Sequence, residues 1–236
     1  MPEARPGAAP RLVLASGSPR RLALLRQLGF EPEVRTACID ETPRADEPAE
    51  ALVERLARAK AHAGLGTLTG DDAPGAGSGR LVVVGADTVV VHGERILGKP
   101  VDRDAFVANL LALSDGWHRV VTGVAVLHRR AVAAPRAAAG SPPAGASAPG
   151  RIIETMRTVT TRVRFGALDR SSALAYWASG EPVDKAGGYA LQGLGARFVE
   201  RIEGSPSNVV GLPLHELSRL LDAAGVRASY PSRSGD

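Results

Sequence analysis

The tightest local constraint in the chain lies between Arg11 and Gly29. A short apolar run, Arg11-Leu12-Val13-Leu14-Ala15, meets Ser16-Gly17-Ser18 and then Pro19-Arg20-Arg21-Leu22, and the helical pattern that follows closes at Gly29. Ser18 offers an oxygen to the free amides of a helix start, Pro19 suits the first helical position, and Gly29 ends the helix. The segment therefore reads strand, tight turn, helix, with Leu22, Leu25 and Leu28 toward the core and Arg20 and Arg21 in the first turn. A strand that passes directly into a helix is the building unit of α/β folds.

The rest of the chain continues in that manner. Residues 48–63 repeat the helical period through Leu52, Val53, Leu56 and Ala59, with Lys60 and His62 in the last turn and Gly64 beyond. Residues 67–80 read as a polar, glycine-rich loop. Leu81-Val82-Val83-Val84-Gly85-Ala86 has the continuous apolar character of a strand buried on both faces, ending at Asp87. Residues 88–97 read as a hairpin turning at His92-Gly93-Glu94-Arg95, and Asp102 caps a helix reaching about Leu113. Strands are expected over 117–128 and 151–165, a capped helix over 169–179 ended by Gly180, a glycine-rich loop over 187–195 around Tyr189 and Gln192, and a closing helix over 214–224. Residues 131–150 are Ala, Pro, Gly and Ser almost throughout and read as a disordered low-complexity insert at a hairpin tip. The expected organisation is one two-lobed α/β domain over 11–228, with flexible termini at 1–10 and 229–236.

Composition excludes several function classes. The single cysteine, Cys38, leaves no intramolecular disulfide and no cysteine-cluster zinc site. The five histidines show no H-E-x-x-H spacing, and neither a G-x-S-x-G elbow nor a Walker loop occurs. No apolar run has the length of a membrane span or a secretory leader, so no membrane partner is expected and the cytoplasm is the expected location. The formal charge of +4 suits an anionic partner, while aromatics at 4% argue against single-stranded nucleic acid held by stacked rings. Trp117, Trp177 and Phe198 are expected in the core.

Ser16 to Arg21 bring together hydroxyls, backbone amides, a helix N-terminus and two guanidinium forks, the donors that phosphoryl oxygens need in place of water. The plainer alternative is that Ser18 only caps and the arginines are solvated. Asp87, at the carboxyl end of a buried strand, stands where open α/β sheets bind ligands; a carboxylate there can hold a divalent cation or take a proton from water. Its alternative is a turn cap through Thr88. Asp40 and Glu41 form a second acidic pair on an expected loop, where solvation is the commoner fate. Lys60 and Lys99 are candidate phosphate contacts or ordinary surface lysines.

Taken in order, Leu14-Ala15-Ser16-Gly17-Ser18-Pro19-Arg20-Arg21, Gly85-Ala86-Asp87-Thr88-Val89-Val90, Gly98-Lys99-Pro100, the run from Asp184 to Gly193, and Asn208-Val209-Val210-Gly211-Leu212-Pro213 resemble the Maf family of nucleoside triphosphate pyrophosphatases across residues 11 to about 224. The resemblance implies an elongated mixed sheet flanked by helices, related to the inosine triphosphatase architecture, with a nucleotide cleft between two lobes. It implies hydrolysis of a nucleoside triphosphate to monophosphate and pyrophosphate with Mg2+ or Mn2+, and a homodimer. By motif position it makes Asp87 the proton acceptor. Asp87 with Glu41, assisted by Asp40, becomes the metal-binding set, and Ser16, Arg20, Arg21, Lys60 and Lys99 the phosphate contacts, with Lys185 completing the cleft. In the branch that prefers dTTP and UTP, the residues associated with base choice match Arg21, Thr88 and Gln192, whose amide can offer a donor and an acceptor to a pyrimidine edge. A nucleotide-sensing regulator of septum formation and a 7-methyl-GTP pyrophosphatase are the alternatives, and Gln192 argues against the latter. The family commonly has tyrosine where Pro206 stands, and Leu113-Ser114-Asp115-Gly116-Trp117-His118 departs from its usual pattern.

Overall fold

The computed structural model describes residues 10–36, 38–68, 80–130, 151–183 and 185–228. The expected insert at 131–150, most of the 67–80 loop and nearly all of both expected flexible termini lie outside the described residues.

Among the described residues, seven strands form one mixed sheet in the order β2-β1-β3-β5-β6-β7, with β4 paired to β3. They are β1 (Arg11–Leu14), β2 (Glu33–Val34), β3 (Leu81–His92), β4 (Arg95–Leu97), β5 (Trp117–Arg130), β6 (Arg151–Phe165) and β7 (Val199–Glu203). The helices are α1 (Pro19–Gln27), α2 (Ala49–Gly66), α3 (Arg103–Leu113), α4 (Arg170–Ala178), α5 (Pro206–Val210) and α6 (Leu214–Ala223). The α/β class and the mixed sheet are as the sequence predicts.

The strand alternation of β3 sets which helix covers which face. Val82, Val84 and Ala86 pack with Leu24, Leu25, Leu217 and Leu221 of α1 and α6. Val83 turns to the other face, against Ala57 and Ala61 of α2, and Val89 and Val91 meet Leu52, Val53 and Leu56 of the same helix. Val90 belongs to a fourth cluster with Phe106 and Leu110 of α3 and Tyr176 of α4.

Helix α2 lies unusually close to the sheet because two glycines admit it. A Cβ on Gly85 would stand 2.3 Å from the Ala57 carbonyl oxygen and 2.5 Å from the Ala61 nitrogen, and one on Gly123 of β5 would stand 2.5 Å from the Val53 carbonyl oxygen. Gly64 serves the same purpose: its absent Cβ would meet that of Ala15 at 2.5 Å. This close seat explains why the helix runs through Gly64 to Gly66 rather than stopping at Ala63. Packing against Ala15 outweighs the weak helix propensity of glycine.

Two other expectations change. On α1 the buried positions are Arg21, Leu24 and Leu25, with Leu22 and Leu28 only partly buried, because an arginine shares the buried face. Strand β3 does not end at Asp87 but continues to His92, paired along its length with β5. The apolar run ends at Asp87 because the parallel neighbour does: β1 pairs with β3 only from Leu81 to Val84, and β4 takes up that edge from Val90 to His92. Between them the edge of β3 opens into a cleft, and Asp87 and Thr88 stand in the opening.

The expected caps are present. Ser18, Asp102 and Asp169 accept from the backbone of Arg21, Ala105 and Ser172. Helix α5 is not among the expected elements; Pro206 occupies its first turn behind the cap Ser205. Phe198 is buried as expected, but Trp117 is only half-buried, beneath the Arg162 guanidinium at 4.3 Å. Trp177 is also half-buried, tilted against Phe106 at 5.1 Å.

His118 is 2% exposed, and its Nε2 lies 2.7 Å from the Tyr189 hydroxyl, with the ring edge-on to Phe165 and Tyr189. Burial, with a smaller contribution from His92, pushes its pKa down to about 4. In the unfolded chain a histidine titrates near pH 6.5, so between pH 6.5 and 4 the unfolded state binds more protons and stability falls as pH falls. Unfolding by denaturant across this window should show the wild type losing about 3 kcal/mol more stability than His118→Gln. Parallel pH profiles in the two proteins would contradict this.

Candidate active site

The opening beside β3 is the floor of a cleft of about 650 Å³. Its lining includes Ser16, Arg20, Arg21, Glu41, Lys60, Asp87, Thr88, Lys99, Lys185 and Gln192, so the structure brings every one of these sequence-derived candidates to one place. Among the described residues, five cationic side chains line it against two carboxylates. Asp40 is not among the lining residues: it is exposed, and its carboxylate accepts from the Thr42 amide at 2.9 Å.

Lys60 occupies the buried seam of α2, one turn beyond Leu56 and one before Gly64, and reaches the α2-facing side of β3. Its Nζ donates to Asp87 Oδ1 at 2.7 Å and pairs with Glu41 Oε1, also at 2.7 Å. Asp87 is 7% exposed, and its Oδ2 takes no hydrogen bond from a described residue. Lys60 therefore fixes the orientation of the Asp87 carboxylate through one oxygen and leaves the other to the cleft. Burial works against the charge of Glu41, but Lys60, with Lys99 and Arg21 behind it, holds its carboxyl below the usual range.

Arg21 is not the solvated arginine of the plainer alternative. At 9% exposure, it donates through Nε to the Gly211 carbonyl at 2.8 Å, through Nη1 to Ser16 Oγ at 3.1 Å and through Nη2 to Thr88 Oγ1 at 3.1 Å. Burial lowers its pKa while Asp87 works the other way. Thr88 Oγ1 also pairs with Thr122 Oγ1 at 2.9 Å. One guanidinium thus joins the β1–α1 turn, β3 and the Asn208-to-Gly211 segment. Asn208 anchors the last of these, donating from Nδ2 to the Val120 carbonyl and Thr161 Oγ1, both at 3.0 Å.

The cations divide into two sets. Arg21 is engaged by protein, and Lys185 Nζ donates to the Glu181 carbonyl at 2.7 Å and more weakly to Val183. Arg20 in the first turn of α1 and the exposed Lys99 after β4 make no hydrogen bond to a described residue, so their donors face the cleft. Gln192 is exposed and lines the same cleft.

Among the described residues no three His, Cys, Asp or Glu side chains gather at one point. The donor set is Glu41 with Asp87, whose oxygens already converge on one cation, the Lys60 ammonium. These two carboxylates would be the residues to hold a hard divalent ion of the Mg2+ or Mn2+ type, whose preference is for oxygen donors. No described helix is long and apolar enough to cross a membrane.

Three site contributors escaped sequence reasoning: the Gly211 carbonyl, Thr122 and Glu181. A carbonyl has no side-chain signature, and Thr122 reads as an ordinary strand threonine. Glu181, directly after the helix-ending Gly180, looks like a solvated turn residue.

Comparison with known proteins gives the family. The family model described as Maf-like protein matches residues 11–224. A protein of Hahella chejuensis named dTTP/UTP pyrophosphatase is 45% identical over 217 residues, covering 92% of this chain and 94% of its own. Proteins of the same name are 46% identical over 215 residues in Myxococcus xanthus, covering 91% and 93% of the two chains, and 43% identical over 211 residues in Vibrio cholerae, covering 89% and 96%. With its motifs converging on one cleft and the match spanning nearly every described element, the chain belongs to the Maf family.

Proposed function

We propose that this protein is a nucleoside triphosphate pyrophosphatase that hydrolyses dTTP and UTP to the monophosphate and pyrophosphate, removing surplus or noncanonical pyrimidine nucleotides. The observation that carries the reading is the cleft itself: five cations face two carboxylates, and one carboxylate is held with an oxygen open beside the cations. A triphosphate needs the cations, and attack by water needs the carboxylate.

Arg20 and Lys99 bind phosphate oxygens, and the third N–H of Lys60 joins them, since Asp87 and Glu41 use two. The Ser16-to-Ser18 turn supplies hydroxyls and amides at the positive end of α1. Asp87 Oδ2 orients a water for in-line attack at the α-phosphorus and takes its proton, and the charge on the departing pyrophosphate is met by Arg20, Lys60 and Lys99. A divalent ion held by Glu41 and Asp87 would supply Lewis-acid polarisation of the phosphoryl oxygens. Arg21 holds Thr88 and the Gly211 carbonyl in place, and with Gln192 these shape the end of the cleft that reads the base.

The test is pyrophosphate release from dTTP, UTP, CTP, 5-methyl-UTP, pseudo-UTP and 7-methyl-GTP with Mg2+ or Mn2+. Preference for dTTP and UTP is expected, and Gln192→Ala should reduce it by about tenfold, the worth of a mispaired base-edge hydrogen bond. Preference for 7-methyl-GTP would overturn the substrate assignment. Tight nucleotide binding by folded protein without turnover would replace hydrolysis by regulation through binding.

A further inference from the structure

The Glu181 carboxylate takes part in no step proposed above, yet it holds the cleft wall from behind. It lies in the turn after α4. Its Oε1 accepts from the Tyr176 hydroxyl at 2.7 Å and the Gly195 amide at 2.9 Å, and its Oε2 accepts from the Leu194 amide at 2.8 Å. The Tyr176 hydroxyl in turn accepts from the Ala190 amide at 3.1 Å. The segment from Ala190 to Gly195, which carries Gln192, is therefore fastened at both ends to one tyrosine–carboxylate pair. Between the ends, Gly193 has φ 143°, and a Cβ there would stand 2.3 Å from Glu181 Oε2. The carboxylate occupies the space a side chain would take.

From this geometry we infer that Glu181 is the positioning residue for Gln192: it sets where the Gln192 amide stands in the cleft, and through it the discrimination between bases. The inference rests on the reading of Gln192 as the base-contacting group. It requires an acceptor on both oxygens, since three N–H and O–H donors converge on them. Burial opposes the charge, but the Tyr176 hydroxyl, the Gly195 and Leu194 amides and Lys185 hold the carboxyl below its ordinary range, so both oxygens accept at neutral pH. A glutamine in its place would keep one acceptor and turn an NH₂ toward a backbone N–H. Lys185 adds a second tie by donating to the Glu181 carbonyl.

The experiment is the ratio of kcat/KM for dTTP to that for CTP in wild type, Glu181→Gln, Gln192→Ala and the double variant. Glu181→Gln should lower the ratio about fivefold, chiefly through a raised KM for dTTP with kcat little changed, and should have no further effect once Gln192 is alanine. Tyr176→Phe, which keeps the ring and removes the hydroxyl, should lower the ratio in the same direction and serves if Glu181→Gln does not fold. A normal ratio in folded Glu181→Gln alongside a lowered ratio in Gln192→Ala would overturn the inference and leave the Gln192 reading standing. Additive effects in the double variant would also overturn it. A normal ratio in Gln192→Ala would overturn the Gln192 reading, and the inference with it.

Discussion

Asp87→Asn is expected to lower kcat for dTTP by about 10³-fold, within the range that a positioned general base contributes. The side chain keeps its shape, and an amide oxygen at Oδ1 still accepts from Lys60. What changes is Oδ2, which becomes an amide nitrogen unable to take a proton. Folding should survive, because no backbone group depends on this carboxylate and Lys60 retains Glu41. Thermal unfolding beside steady-state kinetics checks both halves. A folded variant within tenfold of wild-type kcat would remove Asp87 as the base.

Gly85→Ala is expected to destabilise the protein by about 3 kcal/mol or more, beyond most core overpacking, because the obstructing atoms are backbone. The new methyl would meet the Ala57 carbonyl oxygen and the Ala61 nitrogen, and a helix cannot yield at these atoms without moving as a unit. Any protein that folds must do so with α2 lifted from β3. Since Lys60 rides on α2 and Asp87 on β3, the 2.7 Å contact between them should open. Activity should therefore fall further than the folded fraction. Denaturant unfolding and activity per folded molecule measure the two effects separately; wild-type stability would contradict the close helix–sheet seat. Gly66→Ala, where a Cβ has nothing within 4 Å, is the matched control and should be near neutral or better, as alanine favours helix.

The strand–turn–helix at Arg11 to Gly29 was legible because a serine cap, a proline and a terminal glycine act locally, and the structure has all three in those roles. The helices capped by Asp102 and Asp169 follow the same logic. The continuation of β3 past Asp87 was not legible: it depends on where β1 ends and β4 begins, which is pairing and not propensity. The two-residue β2 was likewise unmarked, since it exists through its pairing with β1. Helix α5 carries local marks of the same kind as α1, Ser205, Pro206 and Gly211, but is only five residues long and shows no apolar period. At the site, the charged residues lining the cleft were identifiable through the family resemblance, whereas Glu181 and the division of labour were not. That Arg21 is engaged by Ser16, Thr88 and Gly211 while Arg20 faces the cleft depends on the burial of one side of α1, and adjacent arginines in a sequence look alike.

The central claim, that Asp87 directs water at the α-phosphorus of a pyrimidine nucleoside triphosphate, is tested most directly by turnover of dTTP in ¹⁸O-labelled water with a divalent metal ion, followed by mass analysis of the products. Label in the monophosphate and none in the pyrophosphate is the predicted result. Formation of the nucleoside diphosphate with labelled orthophosphate, or label in the pyrophosphate, would contradict it.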